Sequence, residues 1–443
     1  MGFFLFLVYL AAFLLRPSDL SWRLGQIHLM DILAALAMAG AGLALLTGRR
    51  ASLRGPQVAL VVIFVLWATL TKIITQRWLW GAWAAFDYLG INLFLFLLAI
   101  LNVDSLRRVR ITARFLVIIA VVLAVQGAVA VHLGLFREHF VFSREATVSE
   151  GDDEEDDQPR REDEAVYGDR GLRIKALGYL NDPNDLAQFL VAMLPLAFAL
   201  RREGEAGLNL LRAWIPAAII AYGVYLSRSR GAILTLGALV FIAVQRRMHR
   251  LFAFALGSLA ALSVFTISVL GTGTELDMSA SDRIYAWHAG FQMLRESPIW
   301  GVGFGNFGEG HELLAHNCFI HCAAELGLVG YFLWLSIIVV TLANSTLLAR
   351  LLDPDDEFDA DMVRWLGAVQ QGLVAFLIAG FFLSRAYSFI LFLLVGLSAA
   401  LVGQIRREDR PLPQLHPLAW ISVILVTGLA ALGGVYLAVR VSS

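Results

Sequence analysis

Apolar runs dominate the chain, and their lengths set the first expectation. They fall near residues 2–15, 28–47, 57–75, 80–101, 111–134, 184–200, 210–226, 231–245, 251–271, 316–349, 366–383, 386–404 and 415–438, separated by short polar breaks. Most are long enough, at about 20 residues per crossing, to span a bilayer as helices. The pattern predicts an all-α polytopic integral membrane bundle of about 12–13 transmembrane helices with two long outer loops. The spans arrange as N-terminal helices over 1–134, an acidic outer loop over 135–183, central helices over 184–271, a second long outer loop over 272–315, and a last group over 316–443. The N-terminal run MGFFLFLVYLAAFLL lacks a basic leader and a small-residue cleavage site, so it reads as a retained first span.

Composition agrees: 58% of the 443 residues are hydrophobic and 16% are charged, which excludes a soluble enzyme or a nucleic-acid binder. Only Lys72 and Lys175 are lysines among 35 basic residues, so nearly every cation is a planar guanidinium able to bind anions bidentately. Alternate loops, including 49–54, 107–114, 246–250 and 406–410, collect the arginines, 18 of them in six short loops. An inward N-terminus and a multi-pass membrane protein follow. The stretch Glu150–Glu164 has ten acidic residues in fifteen, a composition that stays solvated; it lacks the ligand spacing of a calcium loop.

On the outer side, arginines run against the topological trend and call for a chemical reason. They are Arg173, Arg228, Arg230, Arg283 and Arg385, with lipid-headgroup anchoring as the plain alternative for any one of them. The glycine-rich segment Pro298–Gly310 cannot be a helix interior, and a helix is expected to begin near His316. From there to Ala349 it would run about 51 Å, so it must start above the membrane or bend, with Gly327 and Gly330 as hinges. His316, Cys318, His321 and Cys322 resemble a metal box, but a helix would point them in different directions, and no metal is assigned. A histidine, with an ordinary pKa of about 6.5, among arginines suits a general base. Merely capping the helix, with His321 packed between spans, is the bland alternative. Asp87 and Glu325 lie within spans and need partners; for Glu325, Arg230, Arg283 or an interhelical hydrogen bond are expected.

His316-Asn317, nine residues, Gly327, two residues and Gly330 together resemble the motif of the O-antigen ligase and O-antigen polymerase superfamily of membrane glycosyltransferases. Ser229-Arg230-Gly231, the pair Arg283 and Trp287, the segment Pro298–Phe307 and the stretch from Gly178 to Ala187 are similar to pieces of that family too. The resemblance covers about residues 173–335. It implies transfer of an oligosaccharide from undecaprenyl diphosphate to an acceptor hydroxyl, of a glycan or a lipid A core, at the periplasmic face. No nucleotide, metal or other cofactor is implied, and membrane lipids are the surroundings. His316, Arg283 and Arg230 are then the expected catalytic residues, and Arg228, Arg173, Arg385, Trp287, Tyr285 and Asn317 the expected substrate-binding ones. Tyr387 is a further aromatic that could stack on a sugar. Polymerase and ligase share the motif, with a slight lean toward a polymerase. A transporter or flippase, which would need polar residues at mid-depth, and a protein O-oligosaccharyltransferase are the alternatives.

Overall fold

The computed structural model describes residues 1–20, 23, 26, 28–46, 53, 55–77, 79–142, 172–245, 275–310, 314–407 and 417–442. The acidic run Glu150–Glu164 and the expected span 251–271 lie outside these residues. The described chain is almost entirely helical: α1 (Gly2–Leu15), α2 (Leu29–Leu46), α3 (Pro56–Gln76), α4 (Leu79–Asn102), α5 (Leu106–Leu133), α6 (Pro183–Ala199), α7 (Ile215–Ser227), α8 (Arg230–Gln245), α9 (Glu275–Glu296), α10 (Cys318–Leu351), α11 (Glu357–Gly380), α12 (Phe389–Arg407) and α13 (Pro417–Ser442). Among the described residues, eight helical stretches are long and apolar enough to cross a membrane, and α1, α2, α6 and α8 are shorter apolar helices. The protein is a multi-pass membrane protein. One two-residue strand pair, Val141–Phe142 with Arg173–Ile174, closes the base of the first long loop in antiparallel register.

Burial varies sharply among the apolar helices, and this identifies the centre of the bundle. In α12, 94% of an 18-residue window is buried, against 22% in α13. A helix apolar on every side is stable only when enclosed by protein or lipid, so α12 is a core helix and α13 a lipid-facing one. Helices α4, α10 and α11 pack around α12, and α6 packs between α7 and α11.

The second long loop is not irregular throughout. Its first half forms α9, a polar helix that lies on α10 and α13 instead of crossing. Asp87, expected to need a partner within the membrane, is exposed on α4, about a third of the way along that helix.

Helix α10 explains how the expected hinge works. Its 34 residues contain one non-helical residue, Gly327, with φ 66° and ψ −174°. The break frees carbonyls that a continuous helix would satisfy, and the glycine-rich segment supplies the missing donors. The amides of Val302 and Gly303 donate to the carbonyls of Ala324 and Glu325 at 2.9 and 2.8 Å, and Leu328 donates to Pro298 at 2.8 Å. The indole Nε1 of Trp67 takes the carbonyl of Leu326 at 3.0 Å. With three carbonyls and one amide at the break paired in this way, the cost of the break is reduced. A β-carbon at Gly327 would collide with the Ile299 carbonyl, and one at Gly330 would meet Leu326 and Trp67.

Candidate active site

The helix of the histidine motif begins two residues later than expected. Asn317 is its N-cap: its side-chain oxygen accepts from the amides of Phe319 and Ile320 at 2.9 and 3.1 Å. Asparagine is among the best residues at that position because it replaces hydrogen bonds that the first turn cannot make. Asn317 is fully buried, so its expected contact with substrate is corrected to a structural role. His316 stands just before the cap, exposed, with φ 45°, a left-handed conformation that few non-glycine residues adopt. Its amide donates to the Ser384 hydroxyl at 2.6 Å, which ties it to the loop Phe381–Ser388 between α11 and α12.

That loop is the hub of the site. Gly231, the glycine of S-R-G, packs so closely on Phe382 that a β-carbon would come within 2.9 Å of it. Trp287 lies 6.1 Å from Phe381, edge to face. Trp287 is buried and its Nε1 donates to the Ala315 carbonyl at 2.8 Å, so it anchors α9 to the residue before His316. A buried ring cannot stack on a sugar, which corrects its expected role; Tyr387 is buried too, while Tyr285 is exposed.

The arginines divide into two groups. Arg173 donates through Nε to the Ser227 carbonyl at 3.0 Å and through Nη2 to Asn184 at 2.9 Å. Arg385 grips Asp185 through both Nε, at 2.6 Å, and Nη2. Burial would lower the pKa of Arg385, but Asp185 outweighs it and the value is raised. Both arginines thus have partners in the scaffold, and Arg385, its side chain 43% exposed, also borders a cavity. Their partners account for the D-P-N-D segment: Asp182 caps α6 by accepting from Asn184, Pro183 fits the first turn, and Asn184 and Asp185 receive the two guanidiniums. Arg230 and Arg283 form the second group. Burial, with Arg230 nearby, lowers the pKa of Arg283. Among the described residues no carboxylate pairs with either. Two like charges held within electrostatic reach, one of them partly buried, are relieved when an anion sits between them. Arg228, left-handed at φ 52°, turns outward at the elbow between α7 and α8, and Ser229 beside it is buried.

Sequence reasoning missed a cavity beside this cluster. It has a volume of about 360 Å³, and Lys72, Tyr88, His321, Glu325, Ser384 and Arg385 are among its walls. Within it, Nε2 of His321 lies 3.2 Å from Oε1 of Glu325, and that oxygen also accepts the Phe307 amide at 3.2 Å. This corrects the partner expected for Glu325, which is one helical turn along α10 from His321 and not an arginine of a neighbouring element. Nδ1 of His321 and Oε2 of Glu325 are buried without a hydrogen bond. Lys72 reaches Asn306, which Gln76 also contacts at 3.1 Å. The spacing of four residues between His321 and Glu325 was the available signal.

Residues 215–335 match the family model described as O-Antigen ligase. This span runs from α7 through the elbow, α9 and the glycine-rich segment into α10, and so contains Arg230, Arg283 and His316. The match supports the O-antigen ligase and polymerase superfamily. The chain is also similar to the exopolysaccharide production protein ExoQ of Rhizobium meliloti (strain 1021), 25% identical over 198 residues. That similarity covers 38% of this chain and 45% of the relative, so the chain matches less than half of the relative's length. The family's motif has a physical reading here: the asparagine caps, the first glycine breaks the helix, the second admits Trp67, and the histidine alone is left exposed.

Proposed function

We propose that the protein is a glycosyltransferase that moves an oligosaccharide from a polyprenyl diphosphate to an acceptor hydroxyl at the periplasmic face of the inner membrane, and that it acts as a polymerase of an exopolysaccharide or O-antigen. The observation that carries this reading is the Arg230–Arg283 pair, two guanidiniums without a described counterion, on helices whose Gly231 and Trp287 pack against the loop that also holds His316. Such a pair suits a departing diphosphate, whose negative charge grows as the glycosidic bond breaks. Arg228 and Tyr285, both exposed at the same end, suit the more distal parts of the substrate.

The acceptor oxygen attacks the anomeric carbon, the bond from that carbon to the diphosphate oxygen breaks, and the acceptor proton passes to His316. The lipid diphosphate leaves against the two arginines. A single displacement of this kind inverts the anomeric configuration. Fixing the base just outside a helix cap, on a backbone locked by Ser384, limits its freedom before substrate arrives. The similarity to an exopolysaccharide production protein favours an exopolysaccharide as the product.

The test is a reconstituted assay with an undecaprenyl-diphosphate oligosaccharide, with and without a lipid A core acceptor. A ladder of products from the donor alone is expected. A single core-linked product would make the protein a ligase, and a donor that only changes leaflet would make it a flippase.

A further inference from the structure

The largest cavity among those described lies at the opposite end of the bundle from the candidate site, where α10 ends and α11 begins. It has a volume of about 770 Å³. Arginines from three separate segments converge on it: Arg201 and Arg202 after α6, Arg350 near the end of α10 and Arg364 in the second turn of α11. Glu203 is the acidic group in its wall.

The local charges do not balance. Glu205 serves both Arg202, at 3.7 Å, and Arg212. Asp361 serves both Arg110, at 2.8 Å, and Arg364, at 3.1 Å. Each of these carboxylates is thus shared between two guanidiniums. Arg350 is exposed and has no partner among the described residues, and Arg201 lies 5.5 and 5.6 Å from the rings of Phe198 and Trp214 instead of on an acid. Of the acidic turn Asp353–Asp361, Asp361 reaches the wall through Arg364, while Asp353, Asp356 and Asp359 accept from backbone amides of that same turn.

Between the arginines the wall is mixed: Asn209, Thr346 and Gln370 are polar, with Gln370 donating to the Thr346 hydroxyl at 2.7 Å, and Pro195, Phe198 and Ala368 are apolar. A cationic rim on a cleft of mixed character between membrane helices suits the head of an anionic lipid, with the phosphate on the arginines, the polar headgroup on the amide and hydroxyl side chains and the first part of an acyl chain on the apolar residues. We propose that this cavity binds an anionic phospholipid through its phosphate, at a site separate from the one that handles the glycan donor.

The experiment uses the full-length protein in mild detergent and native mass spectrometry with phosphatidylglycerol, phosphatidylethanolamine and inorganic diphosphate as separate probes. Phosphatidylglycerol is expected to stay bound in preference to phosphatidylethanolamine. Arg350→Gln with Arg364→Gln should weaken it about thirtyfold, at about fivefold per arginine. Gly367→Leu provides a second variant that leaves every charge in place: Gly367 lines the cavity, a β-carbon there meets nothing within 4 Å, and the larger side chain fills the cleft. It should displace the lipid without lowering thermal stability. Equal retention of both lipids, or phosphatidylglycerol binding unchanged in both variants, would overturn the proposal. So would diphosphate binding that depends on Arg350 and Arg364 while phosphatidylglycerol does not bind.

Discussion

Among single residues, the separation of scaffold arginines from uncompensated ones gives the sharpest expectations. Arg230→Ala and Arg283→Ala should each lower kcat/KM by about 10²- to 10³-fold with unchanged melting temperature, because each removes charge stabilisation from the leaving group and no bond that holds the fold. Lysine at either position should restore little, since an ammonium lacks the bidentate fork. Arg385→Ala leaves Asp185 buried without its partner and should lower stability by about 1–3 kcal/mol, read as a fall in melting temperature in detergent. His316→Ala should cost about 10²- to 10⁴-fold in kcat. Sequence reasoning located these residues but could not tell which arginines would already have partners. Asp185 sits 200 positions from Arg385, and only the packed chain shows that the two meet.

At the level of elements, the motif helix was legible in part. The excess length of α10 and its glycines predicted a break, and Gly327 is where it occurs. The start of the helix, the second-loop helix α9 and the role of Asn317 were not legible. A capping asparagine and a substrate-binding asparagine look the same in sequence, and α9 has a polar composition like that of a loop. Likewise, the partner of Glu325 is on its own helix: His316 lies outside α10, and His321 is the residue one turn before Glu325. Gly327→Ala should be far worse than an exchange at Gly204, where a β-carbon has open space although the backbone is left-handed there too. At Gly327 the methyl group meets the Ile299 carbonyl, and relief requires the hydrogen bonds of Val302, Gly303 and Leu328 to give way. Asn317→Ala should cost about 1 kcal/mol through the lost cap, measurable by thermal unfolding, and should also reduce activity by freeing His316 from its fixed position.

Across the whole molecule, hydropathy foretold the architecture well: twelve apolar helices are described, and the thirteenth expected span falls on residues outside the description. The reason is that bilayer thickness imposes span length directly, while the relative placement of spans depends on side-chain packing that no periodicity encodes. The loop hub of the candidate site and the arginine cavity lie at opposite ends of α10 and α11. Single cysteines placed at Arg228 and at Arg350 should therefore label with impermeant maleimide from opposite sides of sealed vesicles, with Arg228 on the periplasmic side. Cys318 and Cys322 are fully buried and should give little background. The account as a whole rests on Arg230 and Arg283 holding a departing diphosphate, and one comparison tests it most directly: turnover of an undecaprenyl-diphosphate oligosaccharide by wild-type protein and by Arg283→Ala protein of equal abundance and melting temperature in the same lipid. Loss of glycan transfer by about a hundredfold or more is predicted, and a variant that extends glycan at the wild-type rate would contradict it.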